Sequence, residues 1–218
     1  MNTSHFFFDG YDIDNGLLRK PTYIRKFINE IQEVINDGKV IMVPYYNGIV
    51  KKDGGISTII INNNFHFTCH TFSYKNTVFI DCYGLENSKE KLLPIILKYF
   101  KTNNYDLCIN GDKKGNFGKH VIIKANRINY QDGIELIKSI IRDIEMTPIT
   151  DLITNYVDED NYDIIQMIAE SHISIHMCNG QVMADVFSCK DFDENKVMKL
   201  FDKLVIDMYM VNRGVYYK

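Results

Sequence analysis

Tryptophan is absent, proline occurs only four times, and no apolar run approaches the length of a membrane span. Crossing a bilayer as a helix takes about 18 or more apolar residues, so no spanning segment is expected, and the N-terminus has no signal-peptide pattern. Charge of one sign is scarce too: 25 Lys and Arg against 28 Asp and Glu leave a net charge of -3. That balance gives no basic footprint for nucleic acid, and the one basic cluster, at Lys113 and Lys114, is too short to supply it. The five cysteines are odd in number, irregularly spaced and without a Cys-x-x-Cys pair. They read as free thiols in a reducing, cytoplasmic compartment. His66 and His70 lie near Cys69 and Cys82 in no ligand pattern, so no metal is expected. The composition that remains, 45% hydrophobic and 24% charged, is that of a globular protein of one large domain or two small ones.

The chain repeats itself. In PTYIRKFINEIQEVINDG (21–38), Ile24, Phe27, Ile28, Ile31, Val34 and Ile35 fall at helical spacing, and the pattern stops at Gly38. Strand-like KVIMVPYY (39–46), ISTIII (56–61), FHFTCHTF (65–72) and TVFIDC (77–82) follow, then a helix over 88–100. After an Asn, Gly and Lys-rich loop the order returns. HVIIKA predicts a strand and GIELIKSIIRDIE a helix; strands are expected near 147–155 and 161–168, then a hairpin over 172–189. A last helix carries Val197, Leu200, Phe201, Leu204 and Val205. Antiparallel strands with two helices per half predict an α+β fold, in which each sheet carries helices on one face and meets its twin through the other. Two such units make a four-layer αββα sandwich. The boundary is expected in NGDKKGNFG (110–118), dividing the chain into 1–113 and 114–218.

The most unusual segment is AESHISIHM (169–177). It alternates apolar and polar up to Asn179-Gly180, and VMADVFSC alternates again beyond it, the strongest short-range hairpin signal. His172 and His176 share one face, while Ser171 and His172 face opposite ways. A solvated strand face would carry such residues without any chemistry. A hydrolase triad is a poor fit, because no Gly-x-Ser-x-Gly elbow surrounds Ser171. FHFTCHTF superposes on SHISIHMC at an offset of 106, pairing His66 with His172 and His70 with His176; one residue of slip brings Cys82 to Cys189. Phe65 and Asn64 stand where the second half has Ser171 and Glu170, so the halves share a scaffold but not the Glu-Ser pair.

AESHISIH, with ADVFSC after it, resembles the self-processing segment and catalytic strand of the pyruvoyl-dependent S-adenosylmethionine decarboxylases of polyamine synthesis. SHFFFDGYD (4–12) and GKHVII (118–123) are similar to that family's opening strand. The resemblance covers nearly the whole chain as two tandem units. It implies a pseudo-dimer within one chain, with a homodimer of such chains also open. It further implies cleavage between Glu170 and Ser171, with Ser171 converted to a pyruvoyl group that forms a Schiff base with a small-molecule amine substrate. Cys189 would return the proton after decarboxylation. The family's processing also uses a His and a Ser thirteen residues before it, which correspond to His70 and Ser57. The second half has Asp163 where the first has Ser57, so losses in the halves are complementary.

Recognition of the nucleoside departs from the family. The second half reads HMCNGQ, two residues short in the turn and without the family's aromatic-acidic pair. The first half keeps Phe72 but has Tyr74 at the acidic position, Lys51 stands at an adenine-stacking position, and Lys124 lies near a family Glu. Phe72 and Tyr74, with Tyr45 and Tyr46, are the aromatics available for binding, and His172 lines the site or supports the cleavage turn. A related decarboxylase of arginine or ornithine, or an unprocessed regulatory partner of another decarboxylase, are the alternatives. A diamine activator such as putrescine, known for some fused relatives, is not readable here.

Overall fold

The computed structural model describes residues 5–36, 38–45, 55–62, 65–109, 118–169 and 171–213. The chain divides into two compact units, residues 1–110 and 111–218, each with one six-stranded antiparallel sheet. Unit 1 runs β1 (His5–Gly10), α1 (Asn15–Leu18), α2 (Pro21–Ile35), β2 (Lys39–Tyr45), β3 (Gly55–Asn62), β4 (Phe65–Phe72), β5 (Thr77–Tyr83), α3 (Ser88–Phe100) and β6 (Tyr105–Ile109), in sheet order β2-β3-β4-β5-β1-β6. Unit 2 runs β7 (Gly118–Asn126), α4 (Tyr130–Asp143), β8 (Ile153–Asp158), β9 (Asn161–Ile168), β10 (Ser171–Cys178), β11 (Gln181–Ser188), α5 (Glu194–Phe201) and β12 (Val205–Arg213), in order β8-β9-β10-β11-β7-β12. The two orders are one topology used twice. The fold is α+β, as expected from the repeat.

Local chemistry accounts for the elements. Pro21 opens α2, where its missing N–H costs nothing, and Asn36 closes it in the left-handed conformation (φ 63). The Asn129 side chain caps α4 by accepting from the Asp132 N–H. Asn179 and Gly180 both take positive φ (49 and 76), the backbone of a two-residue hairpin turn.

Each unit has its own apolar core. Ile24, Phe27, Ile28 and Ile31 of α2 and Leu92 and Ile96 of α3 belong to a cluster with Phe65, Phe67 and Cys69 of β4. In unit 2, Ile137 and Ile140 of α4 and Val197 of α5 belong to a cluster with Ile173, Ile175 and Met177 of β10. Each such side chain withdrawn from water contributes about 1.5–3 kcal/mol. The alternate residues are buried as well: His66, Thr68 and His70 on β4, and His172, Ser174 and His176 on β10, are at most 1% exposed. The histidine face of β10 is therefore not a solvated one.

Two expectations need correction. The last helix ends at Phe201; Asp202 (φ 23) turns the chain, Leu204 lies in a short 3-10 turn and Val205 begins β12. The strand expected near 147–155 is β8 at Ile153–Asp158, because Pro148 has no N–H for a ladder and makes only an isolated bridge to Ile168. The outer strands β6 and β12 were not anticipated. Among the described residues no helix is long and apolar enough to cross a membrane.

Candidate active site

β10 begins at Ser171, which pairs with Ile168 of β9. Its side chain is fully buried, and its Oγ accepts the Cys189 backbone N–H at 2.9 Å. Cys189 lies just past the end of β11, partly exposed, with its Sγ 3.8 Å from the Ala169 carbonyl oxygen. The hairpin thus brings the serine, the cysteine and the carbonyl two residues before the serine together. Glu170 lies outside the described residues, as do Tyr46, Lys51 and Asn64.

On the opposite face of β10, His172 is fully buried. Its Nε2 is 3.4 Å from Asp185 Oδ1 of β11, and its ring meets those of His120 and Phe187 edge-on or tilted. Asp185 Oδ1 is also hydrogen-bonded to His120 Nε2 of β7, and His120 Nδ1 is 3.2 Å from a guanidinium nitrogen of Arg213 on β12. Arg213 is fully buried, with its guanidinium carbon 5.3 Å from the centre of the Phe187 ring. A guanidinium only donates, so His120 Nδ1 is the acceptor and the ring proton sits on Nε2, directed at Asp185. Burial opposes the ionised form of Asp185, but His120 and His172 outweigh it and hold the carboxyl well below the usual carboxylate range.

Unit 1 carries the counterpart of this cluster. His66 Nε2 is 2.9 Å from Asp81 Oδ2, Thr68 donates to Asp81 Oδ1 at 2.5 Å, and His5 Nε2 lies 3.9 Å from Asp81 Oδ2. His5 and His66 both pair across Tyr83, as His120 and His172 do across Phe187. These registers fix the equivalence of the two β5-type strands and correct the superposition of Cys82 on Cys189. Cys82 stands opposite Phe67, and the residue opposite the matching Ile173 is Val186. The Asn-Gly turn is two residues shorter than the turn at 73–76, so the offset falls from 106 to 104 and Cys189 matches Leu85. Burial, reinforced by the nearby Asp81 charge, pushes the thiols of Cys69 and Cys82 far up, which leaves both inert.

Ser57 and His70, on paired positions of β3 and β4, are joined by a 2.9 Å hydrogen bond between Oγ and Nδ1, and both are buried. The matching positions in unit 2 are Asp163 and His176, 2.7 Å apart. Phe72 is buried against Phe79, with ring centres 5.0 Å apart. Tyr74 is 46% exposed in the following turn, with the Lys75 ammonium 5.7 Å from its ring centre. Lys124 of β7 stands opposite Met183, and the matching position in β1 is Asp9, a fully buried carboxylate opposite Phe79. Sequence reading passed over Asp185, Asp81, His5, His120 and Arg213. The signal available for the first two was a lone Asp in an otherwise apolar alternating strand, VFIDC and ADVFSC.

Among solved structures, the chain is similar to the adenosylmethionine decarboxylase of Aquifex aeolicus VF5, at 17% identity and a TM-score of 0.41, covering 52% of this chain and 96% of that one. It is also similar to a putative glycine cleavage system transcriptional repressor, at 8% identity and a TM-score of 0.27, covering 98% and 100%. No curated protein matches the chain. The sequence profile of the S-adenosylmethionine decarboxylases matches residues 4–109 and again 121–212. One match falls on each six-stranded unit, and with nearly the whole chain covered, the protein belongs to the S-adenosylmethionine decarboxylase family in a tandem, two-unit form.

Proposed function

We propose that the protein is a self-processing, pyruvoyl-dependent S-adenosylmethionine decarboxylase whose product feeds spermidine synthesis. The observation that carries this reading is the placement of Ser171, buried at the head of β10 with Oγ on the Cys189 N–H, after an Ala-Glu pair that unit 1 lacks. Ser171 Oγ attacks the Glu170 carbonyl carbon, and the Glu170–Ser171 peptide becomes an ester with a free amine on Ser171. Removal of the Ser171 α-proton expels the Glu170 carboxylate and leaves a dehydroalanine. Its imine form takes up water and releases ammonia, so residues 171–218 begin with a ketone in place of an amine.

The residues present fit such a group: the serine precursor is intact, its Oγ accepts the Cys189 backbone N–H, and Cys189 Sγ lies 3.8 Å from the Ala169 carbonyl oxygen. A terminal ketone supplies the electron sink for decarboxylation. Cys189 is assigned to donate the Sγ proton to the substrate α-carbon. Ser57 and His70 are assigned to assist cleavage, a role supported by their 2.9 Å hydrogen bond and by the loss of the serine from the matching pair in unit 2. Phe72 and Tyr74 are the assigned substrate contacts, and the units are taken to divide within 110–118.

Denaturing intact mass tests the reading. A 48-residue chain starting at residue 171 and blocked by pyruvate is expected beside a 170-residue chain, with a single uncut chain for Ser171→Ala. Cys189→Ala is expected to be cut, yet to release carbon dioxide from S-adenosylmethionine about 10²-fold more slowly or worse. An uncut wild type would instead support a regulatory partner of another decarboxylase. A second reading, a substrate such as arginine or ornithine, is favoured by the altered nucleoside contacts: the turn after His176 lacks the aromatic-acidic pair, and Tyr74 stands at the acidic position in unit 1. Processed protein that releases carbon dioxide from one of these and not from S-adenosylmethionine would establish it.

A further inference from the structure

We infer that Arg213 is a positioning residue for the reactive end of the processed chain, acting through His120 and Asp185 on His172. The inference rests on the proposed cleavage. Once the Glu170–Ser171 bond is cut, a chain end is created in the middle of the fold, and chain ends fray unless they are tied down. His172 supplies the backbone nitrogen that carries the ketone cap, so whatever anchors residue 172 fixes where that carbonyl points.

Its anchors are of two kinds. The backbone is laddered to Met167 of β9 and Phe187 of β11. The side chain faces Asp185, which is held in turn by His120. His120 has a donor and an acceptor nitrogen that could exchange roles, and only one arrangement directs an N–H at Asp185. The Arg213 guanidinium, 3.2 Å from Nδ1, selects that arrangement because it can only donate. Burying an arginine completely is costly unless its charge is answered. Arg213 reaches the Asp185 carboxylate through an imidazole, which couples the edge strand β12 to His172, the residue that follows Ser171.

Unit 1 has the same two histidines and the same carboxylate, but there Thr68 donates to Asp81. The matching position in unit 2 is Ser174, whose Oγ makes no such bond to Asp185. The unit that carries the Ala-Glu-Ser segment is thus the one whose carboxylate is held through histidines backed by an arginine.

The test compares wild type, Arg213→Met and Arg213→Lys in the full chain. Imidazole nitrogen NMR should find His120 neutral with its proton on Nε2 in wild type and Lys, and a mixture of tautomers in Met. All three should be cut, judged by intact mass. For carbon dioxide release from S-adenosylmethionine, Met should lose at least about tenfold in kcat with little change in KM, and Lys should recover most of it. A processed Arg213→Met protein with wild-type kcat, or a Lys variant no better than Met, overturns the inference alone. A wild-type protonated Nδ1 on His120 does so even if the Met variant fails to fold. An uncut wild-type chain overturns the decarboxylase reading, and this inference with it.

Discussion

Asp185 joins most of the chemistry on the buried face of unit 2, and its charge state sets a stability signature. Its carboxyl is held below the usual range when folded, burial opposing ionisation and the two histidines prevailing. When unfolded it titrates near 3.9 or so, like any exposed Asp. A depressed folded-state value means that the stabilisation is fully present above the unfolded value and is lost as pH falls through the folded one. Asp185→Asn is therefore expected to cost about 3–5 kcal/mol near neutral pH, since it removes the buried charge that His120 and His172 face. The gap from wild type should narrow steadily below about pH 4. Urea denaturation of both proteins across that range measures it; a gap independent of pH would mean that Asp185 is already neutral in the native protein. At this scale the sequence was only partly readable. Ser171, His172 and Cys189 stood out by type and spacing, whereas Asp185 and Arg213 gain their meaning from cross-strand neighbours that no local pattern reveals.

Among the elements, those with strong periodicity or turn chemistry were legible. The helices at 21–35 and 88–100, and the hairpin about Asn179-Gly180, follow directly from apolar spacing and from a dipeptide that accepts positive φ. The outer strands β6 and β12 were not. β12 is largely half-exposed, with Asp207 and Asn212 interrupting its apolar residues, and a slipped register after Val205. It is a strand because β7 offers an open ladder, which is a tertiary cause. Two glycines at the hairpins separate backbone preference from space. Gly180 has φ 76 and open space around its missing side chain, so Gly180→Ala should cost about 1 kcal/mol, the ordinary penalty for a left-handed L-residue. At Gly55 a Cβ would lie 1.8 Å from the Thr71 carbonyl oxygen, a backbone atom that cannot step aside. Gly55→Ala should therefore cost at least about twice as much, and should disturb the β3–β4 pairing that joins Ser57 to His70. Thermal unfolding of the two variants ranks them, and equal losses would show that the β3 end yields more readily than its contacts imply.

For the molecule as a whole, the informative fact is how two copies of one topology have diverged. Strand register matches Ser57 with Asp163, His70 with His176 and Asp81 with Asp185, and the position equivalent to Ser171 is occupied in unit 1 by Phe65. The repeat was readable from sequence because its histidines survive at a constant offset. The true partner of Cys189 was misread, because the superposition allowed one residue of slip beyond an offset of 106, where the ladder carries the two-residue shortening of the HMCNGQ turn through to an offset of 104. If each copy has kept one share of a divided task, matched substitutions should behave unequally. Ser57→Ala removes the hydroxyl from the pair assigned to assist cleavage and should slow self-processing by about 10²-fold, the usual loss of a positioned proton-transfer group. Asp163→Ser restores to unit 2 the residue that unit 1 has; it keeps a hydrogen-bonding group beside His176 and should leave the rate of cleavage unchanged. The appearance of the 48-residue chain after synthesis, followed by mass in both variants, decides the matter. Slowing by both to the same degree would mean that the pairs serve the fold alike, and that the serine in unit 1 has no special part in cutting the chain.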